Sequence, residues 1–202
     1  MPHSLILASS SPYRRALLQQ LQLPFESASP HINEAALPEE TAAALAARLA
    51  AEKASALAGR YPRGLIIGSD QVAECAGTLL GKPGTGDNAI AQLTACSGRR
   101  VTFHTGVSLL EPGSGRQLTE VEAFTVTFRN LSQEQIRSYV EREQPLDCAG
   151  SFKVEGLGIA LFEKMEGSDY NSLIGLPLIR LIKLLGEFGI DPLSGPEAPT
   201  GE

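Results

Sequence analysis

Leu65-Ile66-Ile67-Gly68 is an unbroken apolar run of strand length, and it constrains the fold more than any other part of this chain. A strand with no polar alternate position must be covered on both faces, as strands are in the interior of α/β sheets. The rest of the sequence supplies covers and partners for it. Leu5 to Ala8 reads as a short strand, broken by Ser9-Ser10-Ser11-Pro12, after which Leu17, Leu18 and Leu21 recur at helical spacing. Ser11 is a natural N-cap, and Pro12 fits the first helical position, where a missing N–H costs nothing. Glu39 to Gly59 is rich in alanine and leucine and predicts a helix. Val72 to Ala76 and Thr78 to Leu80, separated by Gly77, predict a tight hairpin. A helix is expected over Asp87 to Cys96. Val101 to Leu110 and Thr119 to Phe128 alternate around the turn-rich Glu111-Pro112-Gly113-Ser114-Gly115, which predicts a long antiparallel hairpin. Ser132 with Gln135 three positions on forms a capping box for a helix to about Arg142. Gly158 to Phe162 reads as a further strand and Asn171 to Phe188 as a last helix carrying an internal Pro177. Helices interleaved with both buried and alternating strands predict an α/β fold with a mixed central sheet and flanking helices.

With 202 residues, 43% of them hydrophobic, the chain can bury one large core, and a single domain over 1–194 is expected. Residues 195–202, poor in apolar side chains and rich in proline and glycine, read as a disordered tail. A formal net charge of −6 without any lysine or arginine cluster argues against a nucleic-acid polymer as partner. No stretch approaches the length of a membrane span and the first residues do not resemble a secretion signal, so a cytoplasmic protein is expected. Cys75, Cys96 and Cys148 are odd in number and far apart in sequence, which predicts reduced, mostly buried thiols. Cations for any phosphate ligand must therefore be gathered locally.

Four segments have the residue types to do this. In Ser9-Ser10-Ser11-Pro12-Tyr13-Arg14-Arg15 a strand ends in hydroxyls directly before a helix, where free backbone N–H groups and the positive end of the helix dipole favour an anion. Glu34 lies in the loop Pro30-His31-Ile32-Asn33-Glu34. Lys53 falls on the stripe Leu45, Leu49, Lys53, Leu57, away from outer charges such as Arg48 and Glu52, so it either snorkels to an edge or meets a buried anion. Asp70, in Gly68-Ser69-Asp70-Gln71, follows the doubly buried strand and sits at its carboxyl end, where open α/β sheets bind ligands. Lys82 occupies the stiff turn Gly81-Lys82-Pro83. The fourth segment, Cys148 to Gly158, holds three glycines around Ser151, Lys153 and Glu155. The histidines show no zinc spacing, and no G-x-x-x-x-G-K-[ST] loop is present. An acid at a strand end, an anion site at a helix start and several inward lysines together describe a metal–phosphate pocket.

The order Leu5-Ile6-Leu7-Ala8-Ser9-Ser10-Ser11-Pro12-Tyr13-Arg14-Arg15, Glu34, Lys53, Ser69-Asp70-Gln71-Val72, Gly81-Lys82-Pro83 and Gly150-Ser151-Phe152-Lys153 resembles the Maf family from about Leu5 to Leu193. The resemblance implies a mixed α/β fold related to the inosine triphosphatase group, a pocket between two lobes and, often, a homodimer. It implies hydrolysis of nucleoside triphosphates to monophosphate and pyrophosphate with a divalent cation, Mg²⁺ or Mn²⁺. By motif match Asp70 becomes the catalytic base, Glu34 a metal or water ligand alongside Asp70, Lys82 and Lys53 phosphate contacts, and Ser10 and Arg14 phosphate ligands. Lys153 joins them as a further inward lysine of the substrate site.

Within the family, Tyr13, Gln71 and the run Gly150 to Glu155 depart from the dTTP/UTP branch and resemble the 7-methyl-GTP pyrophosphatase branch, in which the positions of Tyr13, Gln71 and Glu155 are linked to substrate choice. The chemistry agrees: a 7-methylated guanine is cationic, and an aromatic face and a carboxylate both favour a cation. Its N1–H and amino group are donors that a glutamate or a glutamine could accept. The competing expectations are a dTTP/UTP pyrophosphatase of the same family and a non-catalytic nucleotide-binding regulator of cell division.

Overall fold

A computed structural model describes residues 4–194; the expected tail at 195–202 lies outside them. Along the chain come β1 (Ser4–Ala8), α1 (Pro12–Gln19), β2 (Phe25–Ala28), α2 (Ala42–Ser55), β3 (Gly64–Cys75), β4 (Thr78–Leu80), α3 (Gly86–Cys96), β5 (Arg100–Glu111), β6 (Arg116–Phe128), α4 (Gln133–Glu143), β7 (Phe162–Glu166), α5 (Tyr170–Ile174) and α6 (Leu178–Gly186). The strands form one sheet in the order β2-β1-β3-β5-β6-β7, with β4 added beside β3. β1 runs parallel to both β2 and β3, and every other pairing is antiparallel. The sheet is mixed, as the two kinds of strand pattern require.

β3 is the strand that shapes the site. The two apolar stretches expected to be separate are one 12-residue strand. Its first part, Gly64 to Gly68, pairs with β1, and its last part, Ala73 to Cys75, pairs with β4. Neither ladder includes Ser69, Asp70, Gln71 or Val72, although β5 accompanies them along the other edge. A gap thus opens in the sheet where β1 ends and its chain turns into α1. Because side chains alternate along a strand, Asp70 and Val72 face α2 while Ser69 and Gln71 face α5.

α2 reaches that gap because small residues let it approach closely. Its buried stripe is Ala42, Leu45, Ala46, Leu49, Ala50, Lys53 and Ala54, and it lies over glycines of β3 and β5. A Cβ at Gly68 would stand 2.0 Å from the Ala50 carbonyl oxygen, and one at Gly106 would stand 2.2 Å from that of Ala46. No side chain fits at either position. The helix starts at Ala42, with Thr41 as N-cap, later than the expected Glu39, because Glu39 has a φ of 59°, outside the helical region.

On the other face, α6 buries Leu178, Leu181, Leu184 and Leu185 against Leu5, Leu7, Leu65, Ile67, Val107 and Leu109. A second apolar cluster, around Leu93, Phe103, Phe128, Ile136 and Phe152, fills the end of the sheet under α3 and α4. Within it Phe152 meets Phe103 and Phe162 edge-on, each at a centroid distance of 5.0 Å.

Two further expectations are corrected. Gly158 to Phe162 is not a strand: Leu157–Leu161 is a 3₁₀ helix, and the strand begins at Phe162. The N–H groups of Gly156 and Gly158 both donate to the Lys153 carbonyl, at 3.2 and 3.0 Å, which closes the segment into a turn that an extended chain cannot make. The last helix is two helices, because Gly175 has a φ of 124° and Pro177 has no N–H to offer the preceding turn. Elsewhere the expected elements are present, including the hairpin at Ala76–Gly77, both at positive φ, and the capping box of Ser132 and Gln135. Cys75, Cys96 and Cys148 are free thiols, the first two buried. Among the described residues no helix is long and apolar enough to cross a membrane.

Candidate active site

The gap beside β3 opens into a cleft of about 590 Å³, a volume suited to a nucleotide-sized ligand. The turn after β1 borders it with Ser10, α1 with Tyr13 and Arg14, α2 with Leu45, Leu49 and Lys53, β3 with Asp70, Gln71 and Val72, and the loop after β4 with Lys82. Glu34 and Glu155 complete it. Nine of the ten residues singled out by sequence therefore share one cleft.

Lys153 is the exception. It does not border the cleft: its ammonium donates to the carbonyl oxygens of Glu143 and Gln144, at 3.0 and 3.3 Å, at the end of α4. A cation there satisfies carbonyls that have no partner within the helix. The role expected for Lys153 as a substrate contact has no geometric support, because the turn that brings Glu155 to the cleft directs Lys153 to α4.

The centre of the cleft is the Lys53 ammonium, which lies 2.5 Å from Oδ1 of Asp70 and 2.7 Å from Oε1 of Glu34. Lys53 is 5% exposed, so of its two sequence readings the buried-anion one holds. Burial tends to raise the Glu34 pKa, but the hydrogen bond from Lys53 and the charges of Lys53, Lys82 and Arg14 outweigh it and leave the carboxyl below its ordinary value. The loop carrying Glu34 is tied to α2 by Arg48, which binds Glu40 at 2.7 and 2.8 Å and the Ala35 carbonyl at 3.0 Å.

α1 starts as its sequence dictates. Ser11 caps it, accepting from the Arg14 N–H at 3.4 Å, and Pro12 occupies the first turn. The Arg14 side chain turns back into the fold, where its Nε donates to the Gly175 carbonyl at 2.8 Å. Burial lowers its pKa, and Asp70 and Glu34 pull it back up.

The opposite end of the cleft is acidic. The pKa of Tyr13 is raised by burial first and then by the negative charge of Cys148, Asp147, Glu155 and Glu143. Asp147, which borders the cleft, escaped the sequence reading because no motif marks an acid four residues before Ser151. Burial and Asp147 push the Cys148 thiol up to about 12, which makes it a poor nucleophile near neutral pH. Gln71 donates from its amide nitrogen to the carbonyls of Ser172 and Leu173, at 2.7 and 3.1 Å, and to Thr105 Oγ1 at 3.2 Å. Both amide hydrogens are thereby engaged, and the group left for a ligand is the acceptor oxygen. The cleft thus sets Lys53, Lys82 and Arg14 about Glu34 and Asp70, and adds Asp147, Glu155 and an acceptor amide beyond them.

The chain is 59% identical over 187 residues, 93% of its length and 97% of the relative's, to a protein of Pseudomonas aeruginosa named 7-methyl-GTP pyrophosphatase. A protein of the same name from Colwellia psychrerythraea is 51% identical over 191 residues, 95% of this chain and 96% of the relative. Among solved structures, a HAM1 protein from Coxiella burnetii shares the fold with a TM-score of 0.52 at 17% identity, covering 92% of this chain and 100% of that one. Residues 4–188 match the family described as Maf-like protein, and the chain belongs to the Maf family.

Proposed function

We propose that the chain hydrolyses the α–β phosphoanhydride of a nucleoside triphosphate to the monophosphate and pyrophosphate, and that 7-methyl-GTP is the substrate it favours. The observation that carries this reading is the Lys53 ammonium bridging Glu34 and Asp70, beside Arg14, in a cleft of nucleotide size. Asp70 orients a water and takes its proton as the oxygen attacks the α-phosphorus in line with the α–β bridging oxygen. The P–O bond to the β-phosphate breaks, and pyrophosphate departs with its charge met by Arg14, Lys53 and Lys82, while Ser10 donates to the phosphate chain. Positioning and fixed charge supply most of the acceleration in such chemistry.

The donor set also suits a hard divalent cation. Glu34 and Asp70 each meet the Lys53 ammonium through one of their two carboxylate oxygens, and among the described residues no group of three or more His, Cys, Asp and Glu gathers to hold a metal without substrate. Mg²⁺ is commonly held by one or two carboxylates together with substrate phosphates and water, and Mn²⁺ accepts the same oxygen donors. Glu34 and Asp70 are the residues that would hold it, and when bound it offsets negative charge on the phosphate oxygens.

At the other end, Tyr13 offers a ring face to a cationic 7-methylguanine, and Glu155 with Asp147 offers it negative charge. Gln71 presents an acceptor to the N1–H or the amino group. The names of the two bacterial relatives support the same substrate. The test is hydrolysis of 7-methyl-GTP, GTP, dTTP and UTP in ¹⁸O-water, with a chelator and with added Mg²⁺ or Mn²⁺. The expected result is metal-dependent release of pyrophosphate, with the label in the monophosphate and the highest kcat/KM on 7-methyl-GTP. Orthophosphate as product overturns the reaction. Faster turnover of dTTP or UTP overturns the substrate, and nucleotide binding without product points to a regulator.

A further inference from the structure

The carbonyl of Gly175, at the junction of α5 and α6, accepts from Arg14 Nε at 2.8 Å and from Ser69 Oγ at 3.0 Å, and Ser69 Oγ also lies 2.8 Å from the Gly106 carbonyl. We propose that Gly175, held by Ser69, is a positioning residue for phosphate binding: its carbonyl takes up the Nε–H of Arg14 and fixes the plane in which the two Nη groups meet the phosphate chain. This rests on the functional reading above.

Three observations support it. A guanidinium has five N–H donors in a rigid fork, so engaging Nε leaves the paired Nη groups for a bidentate contact and removes rotation about the last side-chain bonds. Gly175 has a φ of 124°, and a Cβ there would lie 3.4 Å from Arg14 Nε and 3.7 Å from its Cγ. Those are ordinary van der Waals distances, so it is the backbone conformation that disfavours a side chain here, and relaxing it would move the carbonyl that Arg14 is bound to. Ser69, directly preceding Asp70 on β3, is fully buried, and its one hydroxyl hydrogen is shared between the Gly106 and Gly175 carbonyls, so it ties the Gly175 carbonyl to β5. The same strand segment therefore sets the carboxylate on the α2 side and the anchor of the phosphate cation on the α5 side. Two carbonyls of α5 are held in the same way, that of Ser172 by Thr105 Oγ1 at 2.8 Å and by Gln71, and that of Leu173 by Gln71.

The experiment is a pair of double-mutant cycles on kcat/KM for 7-methyl-GTP, with Gly175→Ala and Ser69→Ala each made in the wild type and in Arg14→Ala, and with melting temperature recorded throughout. Misaiming a binding group by about an ångström costs up to about 10²-fold. Gly175→Ala is therefore expected to lower kcat/KM by about 10-fold or more in the wild type and by less than about threefold in Arg14→Ala. Ser69→Ala imposes no backbone strain and replaces Gly175→Ala in the cycle if the latter does not fold. Equal losses in both backgrounds would show that Gly175 and Ser69 serve the fold alone and would overturn the proposal. If the wild type releases pyrophosphate from no nucleotide, the functional reading fails. The same cycles are then read in the dissociation constant for pyrophosphate, where loss of coupling to Arg14 overturns the positioning role on its own.

Discussion

Lys53 Nζ stands 2.5 Å from Asp70 Oδ1 although the two residues belong to different layers, a helix and the sheet beneath it. Side chains of ordinary size between the layers would hold the ammonium farther out. The contact exists because α2 lies against the bare backbone of Gly68 and Gly106.

Gly106→Ala tests that relationship. A methyl 2.2 Å from the Ala46 carbonyl oxygen must push α2 outward, and overpacking of this kind costs about 1–3 kcal/mol. The expected outcome is a lower midpoint of urea unfolding together with a fall in pyrophosphate release larger than the unfolded fraction explains, since Lys53 moves with the helix. Unchanged turnover in a destabilised variant would show that the Lys53–Asp70 distance does not limit the reaction.

Asp70→Asn keeps the shape of the side chain and removes the base. Turnover is expected to fall by at least about 10²-fold, the usual scale of a lost general base, while nucleotide affinity measured by calorimetry largely survives. Near-normal turnover in a folded variant would transfer the role to Glu34, the other carboxylate on Lys53.

Substrate choice is expected to depend on the acidic end of the cleft. A hydrogen bond to a charged group contributes about 1.5–3 kcal/mol, so Glu155→Gln is expected to reduce the preference for 7-methyl-GTP over GTP by roughly 10-fold or more. Tyr13→Arg brings a like charge to the cationic base and is expected to shift preference toward uncharged bases. Parallel kcat/KM values on 7-methyl-GTP, GTP, dTTP and UTP for both variants check this, and an unchanged ratio for Glu155→Gln would remove that carboxylate from recognition.

The Glu34 loop carries a pH dependence through Glu40. Hydrogen bonds from Arg48 and from the Leu37 N–H hold the Glu40 carboxyl down at about 2, against an ordinary value of 4.5. A group whose folded pKa is depressed adds stability above its unfolded pKa and loses it as pH falls toward the folded one. The loop is therefore expected to stay anchored above pH 4.5 and to loosen progressively between 4.5 and about 2. Amide exchange at Leu37, compared between wild type and Glu40→Gln from pH 2 to pH 6, should show wild-type protection that shrinks toward that of the variant on acidification. A constant difference across the range would contradict it.

The sequence by itself determined whatever depends on neighbours along the chain. A doubly covered strand at Leu65 to Gly68, the Ser11 and Ser132 caps, the Ala76–Gly77 turn and the long β5–β6 hairpin all follow from local periodicity and local hydrogen bonding. Lys53 was legible as an inward cation because its place on the leucine stripe already points it at the sheet. Motif order also marked nine of the residues that line the cleft. What only the tertiary structure decided depends on contacts distant in sequence. Lys153 and Glu155 stand two residues apart in one glycine-rich loop, and closure of that loop on the Lys153 carbonyl turns one toward α4 and leaves the other at the cleft. Gly158 to Phe162 has an apolar pattern compatible with a strand, yet the same closure makes it a 3₁₀ turn. Arg14 meets Gly175 across 161 positions of chain, a separation at which no periodicity carries information, because the energy of that hydrogen bond exists only once β3, α1 and α5 have packed together.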